Sequence, residues 1–113
     1  MIEKKTVGLT EKIKITGSKG KSKRMIARID TGATISSIDS RLASELTLGP
    51  VVRTKLVKSA HGKTVRPVII AEITIAGKNI KARFTIADRS HMKYRVLVGQ
   101  NILKKGFIID PSK

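Results

Sequence analysis

The residues best suited to chemistry lie in one short run, Ala27-Arg28-Ile29-Asp30-Thr31-Gly32-Ala33. A hydrophobic stretch delivers an acid, then a hydroxyl, then a glycine. Asp30 supplies an acid or base. Thr31 offers a hydroxyl that can tie two such loops together, and Gly32 lets backbone approach closely and gives neighbouring amides room to reach the carboxylate. This is the material of water-activating aspartate chemistry, but one carboxylate does not complete it. Two carboxyls a hydrogen bond apart cannot both ionise, so they share a proton. The charged member then takes a proton from water while the neutral member protonates a carbonyl. A chain with one such loop borrows the second from a twofold mate. The competing reading is that Asp-Thr-Gly is an ordinary turn, since all three residues suit turns.

The elements that must hold this loop are mostly strands. Lys12 to Thr16 alternates polar and apolar, and Gly17 to Ser22 is a loop. Lys23 to Ile29 then runs straight into Asp30. After an apolar return through Ile35 and Ile38, Ser40 to Leu46 fits one or two helical turns, capped by Asp39 or Ser40. Val51 to Val57 is the next strand, and Ala60 to Lys63 a turn. Thr64 to Ile75 gives a long β-rich segment in which Pro67 marks an edge, a kink or an unpaired extension. Ala76 to Asn79 is a tight turn before the return of Ile80 to Ile86. Arg95 to Val98 and Phe107 to Ile109 close the list, with a helical turn over Asn101 to Lys105 between them. The expectation is an all-β closed barrel with one or two short helices, formed by residues 1–113 as a single domain. Met1 to Lys5 and Pro111 to Lys113 are either loose ends or part of a dimer sheet.

Composition agrees and sets limits. Only Phe84, Tyr94 and Phe107 are aromatic, so branched aliphatics must build the core, which suits a sheet. The absence of cysteine excludes disulfides, thiolate chemistry and cysteine zinc sites. No apolar run reaches membrane-spanning length and the first residues lack the apolar stretch of a signal peptide, so a cytoplasmic protein without membrane attachment is expected. Twenty-four Lys and Arg against eight Asp and Glu give a net charge of +16, a field that attracts polyanions such as nucleic acid or acidic peptide. The same charge also serves solubility in a salt-rich or hot cytosol.

A second segment sharpens the reading. Ile29-Asp30-Thr31-Gly32-Ala33 comes early and Val96-Leu97-Val98-Gly99-Gln100-Asn101-Ile102-Leu103 comes late. In this the chain resembles the retropepsins, single-domain aspartic peptidases in which an apolar pair with glycine packs beneath the active-site loop and a short helix follows. A glycine-bearing hairpin, the flap, folds over the substrate, and Ser59 to Thr64 occupies the matching place. Within that group the chain looks most like a prokaryotic and archaeal family labelled ATP-dependent zinc proteases, whose members accompany glutamate ligases. Asp30 to Ala33 with Ser36, Arg66-Pro67-Val68-Ile69, Ala87-Asp88-Arg89 with Met92, Leu97-Val98-Gly99 and Ile109-Asp110-Pro111-Ser112 carry the likeness. They span about four fifths of the chain, and matches in the right order are more specific than any one of them.

The resemblance implies a retropepsin-like barrel with one half-site per chain, active as a homodimeric hydrolase. Asp30 would be catalytic, with Thr31, Gly32 and Ala33 supporting it. Thr34, His61, Gly62, Arg66 and Arg89 would meet substrate. The basic charge and the glutamate-ligase association imply acidic, glutamate-rich peptides, gripped by Arg66 and Arg89. For each arginine the other reading is a structural ion pair, with Asp88 or Glu72. Ser36 and Ser37 are expected to satisfy local backbone groups. Retropepsins commonly carry Arg after the late glycine and Asp just beyond the catalytic motif, where this chain has Gln100 and Thr34, so no buried charge is stranded.

The zinc and ATP labels find no support in these residues. Only His61 and His91 are present, without a His-Glu-x-x-His pattern, and there is no phosphate-binding Gly-rich loop ending in Lys-Ser/Thr. No metal or cofactor is expected; His61 reads as exposed or substrate-contacting and His91 as surface. The rival to a peptidase is a catalytically silent binding module of the same fold that holds nucleic acid or acidic protein by charge. Against nucleic acid stand the few aromatic side chains available for stacking.

Overall fold

The computed structural model describes residues 3–60 and 62–113, and of Ser59 only the backbone. The chain runs through β1 (Lys5–Val7), β2 (Thr10–Thr16), β3 (Ser22–Ile29), β4 (Ser36–Asp39), α1 (Ser40–Glu45), β5 (Arg53–Ser59), β6 (Gly62–Ile75), β7 (Lys78–Ala87), β8 (Val96–Val98), α2 (Gln100–Leu103) and β9 (Phe107–Ile109). The alternation of sequence becomes an alternation of burial. Ile13 and Ile15 of β2, Ile69, Ala71, Ile73 and Ile75 of β6, and Ile80, Ala82 and Phe84 of β7 all face inward. Each large apolar side chain buried this way contributes about 1.5–3 kcal/mol.

The main sheet has the order β2-β3-β8-β4-β7-β6-β5, and β2 also pairs with β6. That extra pairing closes β2, β3, β8, β4, β7 and β6 into a barrel, leaving β5 outside the ring, bonded to β6 alone. All-β architecture with two short helices is thus observed. Pro67 lies opposite Thr54 of β5, one residue before the β6–β7 ladder begins at Val68, so its missing N–H costs no bond to β7. The hairpin of β6 and β7 turns through Ala76 and Gly77, both with positive φ. This is the conformation that two-residue hairpins require, and glycine reaches it without strain.

Helix α1 starts at Asp39, whose carboxylate accepts from the Arg41 amide at 3.2 Å. One element falls outside the sequence expectation. Lys5 to Val7 pairs in parallel with Phe107 to Ile109, so the two ends of the chain form their own small sheet. Lys113 fastens it, its Nζ donating to the Thr6 carbonyl and to Glu11 Oε1, each at 2.7 Å. The C-terminal residues are therefore tied down by contacts within the chain, while Met1 and Ile2 lie outside the described residues. Among the described residues no helix is long and apolar enough to cross a membrane.

Candidate active site

Strand β8 lies between β3, to which it is parallel, and β4, to which it is antiparallel. β3 and β4 are consecutive in the chain, so the loop joining them, residues 30–35, must arch over the end of β8. Asp30 opens this loop. Its amide donates to the Val98 carbonyl at 2.9 Å, which fixes the residue to β8. Its Oδ1 accepts from the Gly32 amide at 2.9 Å, and a Cβ on Gly32 would stand only 3.2 Å from that oxygen.

Beneath the arch the late segment clasps the loop. A Cβ at Gly99 would lie 2.7 Å from the Ala33 carbonyl oxygen, so only glycine lets the two backbones meet at this distance. The Gly99 amide donates to Ser36 Oγ at 2.9 Å, and Ser36 Oγ donates in turn to Asn101 Oδ1 at 2.8 Å. Asn101 Oδ1 also accepts from the Ser36 amide, while its Nδ2 donates to the Arg83 carbonyl, both at 2.9 Å. The Gln100 amide donates to the Ala33 carbonyl and its side-chain Nε2 to the Thr31 carbonyl, both at 2.8 Å. Asn101 and Gln100 thus anchor the loop; the sequence marks Gln100 only as standing where retropepsins carry Arg, and gives Asn101 no role.

A cleft of about 360 Å³ opens along this loop, and Asp30 and Thr31 are not among its lining residues. Gly32 to Ile35 line it together with Lys55 to Lys58 of β5, Arg66 of β6 and Arg89. Gly32, Ala33, Thr34, Arg66 and Arg89 therefore come together. Gly62 stands at the hairpin tip, in register with Ser59, and is not among the lining residues. His61 lies outside the described residues. His91 is exposed.

Arg89 is held through both its backbone and its side chain. It is only 8% exposed. Its amide donates to Asp39 Oδ1 at 2.8 Å and its Nε to the Tyr94 carbonyl at 3.0 Å. No buried polar side-chain atom among the described residues lacks a partner, and the two Nη groups bond to none of those residues, so they reach the open space of the cleft that Arg89 lines. Burial and the neighbouring Arg66 lower the Arg89 guanidinium below its ordinary range, whereas Asp39 and Asp30 work the other way. An arginine keeps its proton under these conditions. Neither Arg66 nor Arg89 has an ion-pair partner within 4 Å among the described residues.

Asp39 is 1% exposed. Burial raises its pKa, but the Arg89 amide, the Arg95 guanidinium and the amides opening α1 outweigh that and hold it below the ordinary carboxylate value. Among the described residues no group of three or more His, Asp or Glu side chains converges as metal ligands would.

The model of a family described as retropepsin-like aspartic endopeptidase RimB matches residues 39–113. The chain belongs to the RimB-like family. The matched span begins at Asp39 and carries the clasp; the Asp30 loop lies upstream of it. No curated protein matches this RimB-like chain. Among solved structures, a protein of unknown function from Legionella pneumophila, Lpg0085, is 17% identical with a TM-score of 0.64, over 96% of this chain and 94% of the other. The EIAV protease in complex with the inhibitor HBY-793 is 21% identical with a TM-score of 0.66, over 84% of each chain. The Simian Foamy Virus protease is 19% identical with a TM-score of 0.62, over 84% and 91%. At such identities the likeness is one of fold, and the RimB-like barrel is retropepsin-like.

Proposed function

We propose that the chain, residues 1–113 as one domain, is half of a homodimeric aspartic endopeptidase that cuts acidic, glutamate-rich peptides. The observation that carries this reading is the Asp30 carboxylate, held by the Gly32 amide at the head of a loop whose following residues, Gly32 to Ile35, line a cleft without Asp or Glu. A single acid fixed in this way supports reading the chain as half of a dyad. In the dimer the two Asp30 carboxyls share one proton and titrate as a couple. The ionised member takes a proton from water, the water oxygen attacks the scissile carbonyl, and the protonated member gives its proton to the carbonyl oxygen. Collapse of the tetrahedral intermediate then returns a proton to the leaving amine.

The supporting residues follow from their placement. Thr31 is exposed and its hydroxyl is unbonded among the described residues, leaving it free to bond the mate's loop. Gly32 and Thr34 present backbone to an extended peptide. The hairpin of β5 and β6, with Gly62 at its tip, lies over the bound chain. Arg66 and Arg89, two like charges without a carboxylate counterpart in the cleft, receive an acidic side chain through paired N–H donors. No resident metal or cofactor takes part.

A net charge of +16 favours a second reading, a silent module that binds polyanions. Cleavage separates the two. The parent should cut a glutamate-rich peptide faster than its glutamine counterpart, and Asp30→Asn, which keeps shape but loses the shared proton, should cut neither. Undiminished cleavage by Asp30→Asn would end the catalytic assignment. Salt-sensitive binding to nucleic acid without any cleavage would favour the second reading.

A further inference from the structure

The cleft does not end at Thr34. A second depression of about 530 Å³ shares Thr34, Ile35 and Lys55 with it, so the two form one continuous trough. Sequence alternation puts its charges there. In β7, Ala82 and Phe84 turn inward, which sends Lys81 and Arg83 outward. Arg53 and Lys55 come from β5, outside the barrel ring, and Lys105 from the turn after α2. Ile70, 45% exposed, supplies apolar floor between them.

Five cations surround this depression and no carboxylate lines it. The nearest acid in register is Glu72, opposite Lys81 in the β6–β7 ladder, and no ion pair joins the two. Lys105 Nζ is held over the Lys81 carbonyl at 3.4 Å, so its ammonium stays at the trough instead of trailing into solvent. Like charges gathered on one concave surface repel one another, and an anion laid among them relieves that repulsion.

We propose that this trough is an exosite that holds acidic side chains of the substrate polypeptide several residues away from the bond that is cut. The inference rests on the peptidase reading above and adds to it a second recognition surface beyond Arg66 and Arg89. Continuity with the cleft decides for polypeptide: an extended chain leaving Asp30 advances about 3.3 Å per residue, and its path past Thr34 leads into the trough. Nucleic acid fits less well, because no lining residue is aromatic and a base would find nothing to stack on. Twofold symmetry supplies two such troughs, one on each side of the scissile bond, so long acidic substrates gain from both.

The test uses the full-length chain carrying Asp30→Asn, so that binding is read without turnover. Fluorescently labelled oligoglutamates of about four and about twelve residues report short and long occupancy. Lys81→Gln with Arg83→Gln should weaken the long peptide about tenfold and leave the short one nearly unchanged. The charge-matched pair Lys19→Gln with Lys21→Gln, in the loop between β2 and β3, should leave both within about twofold. Equal losses from the two pairs would reduce the effect to overall charge and overturn the exosite; no loss from the trough pair would do the same. A single-stranded RNA that displaces the long peptide from the parent, but not from the trough variant, would assign the trough to nucleic acid instead. Because these readouts do not need catalysis, they stand apart from cleavage by the parent, whose absence would count against the peptidase reading alone.

Discussion

The Nε2 of Gln100 donates to the carbonyl oxygen of Thr31 at 2.8 Å, binding the start of α2 to the loop that carries Asp30. Retropepsins that resemble this chain place an Arg and an Asp at the sites held here by Gln100 and Thr34. A neutral amide reaching a backbone carbonyl replaces that ion pair and avoids burying a charge. It also fixes the residue next to Asp30 without restricting the cleft.

Gln100→Ala should therefore lower kcat by about threefold to tenfold, the worth of one hydrogen bond, while KM changes little. The Gln100 backbone amide still holds Ala33, so the fold survives. A rise in KM with kcat unchanged, measured by steady-state kinetics on a glutamate-rich peptide, would contradict this positioning role.

Gly99→Ala should destabilise the protein. The added methyl would meet the Ala33 carbonyl oxygen at 2.7 Å, and that oxygen is backbone, which cannot swing aside. The expected cost is about 1–3 kcal/mol, read as a lower midpoint in urea unfolding. An unchanged midpoint would show that the loop is not clasped as described.

Asp39 gives the protein an acid-sensitive joint. Its pKa in the folded chain lies below the ordinary value, so its ionised form stabilises the fold above the unfolded pKa. That contribution is present at neutral pH and is lost as pH falls below about 4 and through the folded value. Asp39→Asn should be less stable than the parent at pH 7, with the difference shrinking under acid. Thermal melts across that range check it; a constant difference would contradict the ionised contribution.

Arg66→Gln tests the grip on acidic side chains. The Arg66 side chain makes no hydrogen bond or ion pair among the described residues, so its loss should leave the melting temperature nearly unchanged. KM for a glutamate-rich peptide should rise about tenfold, and KM for the glutamine counterpart should hold. Equal changes for both peptides would remove Arg66 from specificity.

Much of the barrel was legible because its signals are local. Alternating Ile and Val mark β2, β6 and β7, Asp39 marks the start of α1, and Ala76-Gly77 marks the tight hairpin. Other features depend on pairings far apart in the chain. β1 is three residues long, with no period to read, and exists through β9 at the opposite terminus. The insertion of β8 between β3 and β4 sets the arch over Gly99, and no local pattern announces it. Asn101 looked like any residue of a helical turn until the fold brought Ser36 and Arg83 to it. The cationic trough likewise needs β5, β7 and the end of α2 side by side; in sequence its charges are lost in a uniformly basic chain.

A subunit-mixing titration bears most directly on the requirement for two Asp30 carboxyls. Parent and Asp30→Asn chains are combined at fixed total concentration, allowed to exchange, and assayed on a glutamate-rich peptide. If each active unit needs an aspartate from both subunits, an equal mixture retains about a quarter of the parent rate, because activity follows the square of the parent fraction. A linear fall to about half would mean that one chain is sufficient, and would contradict the account.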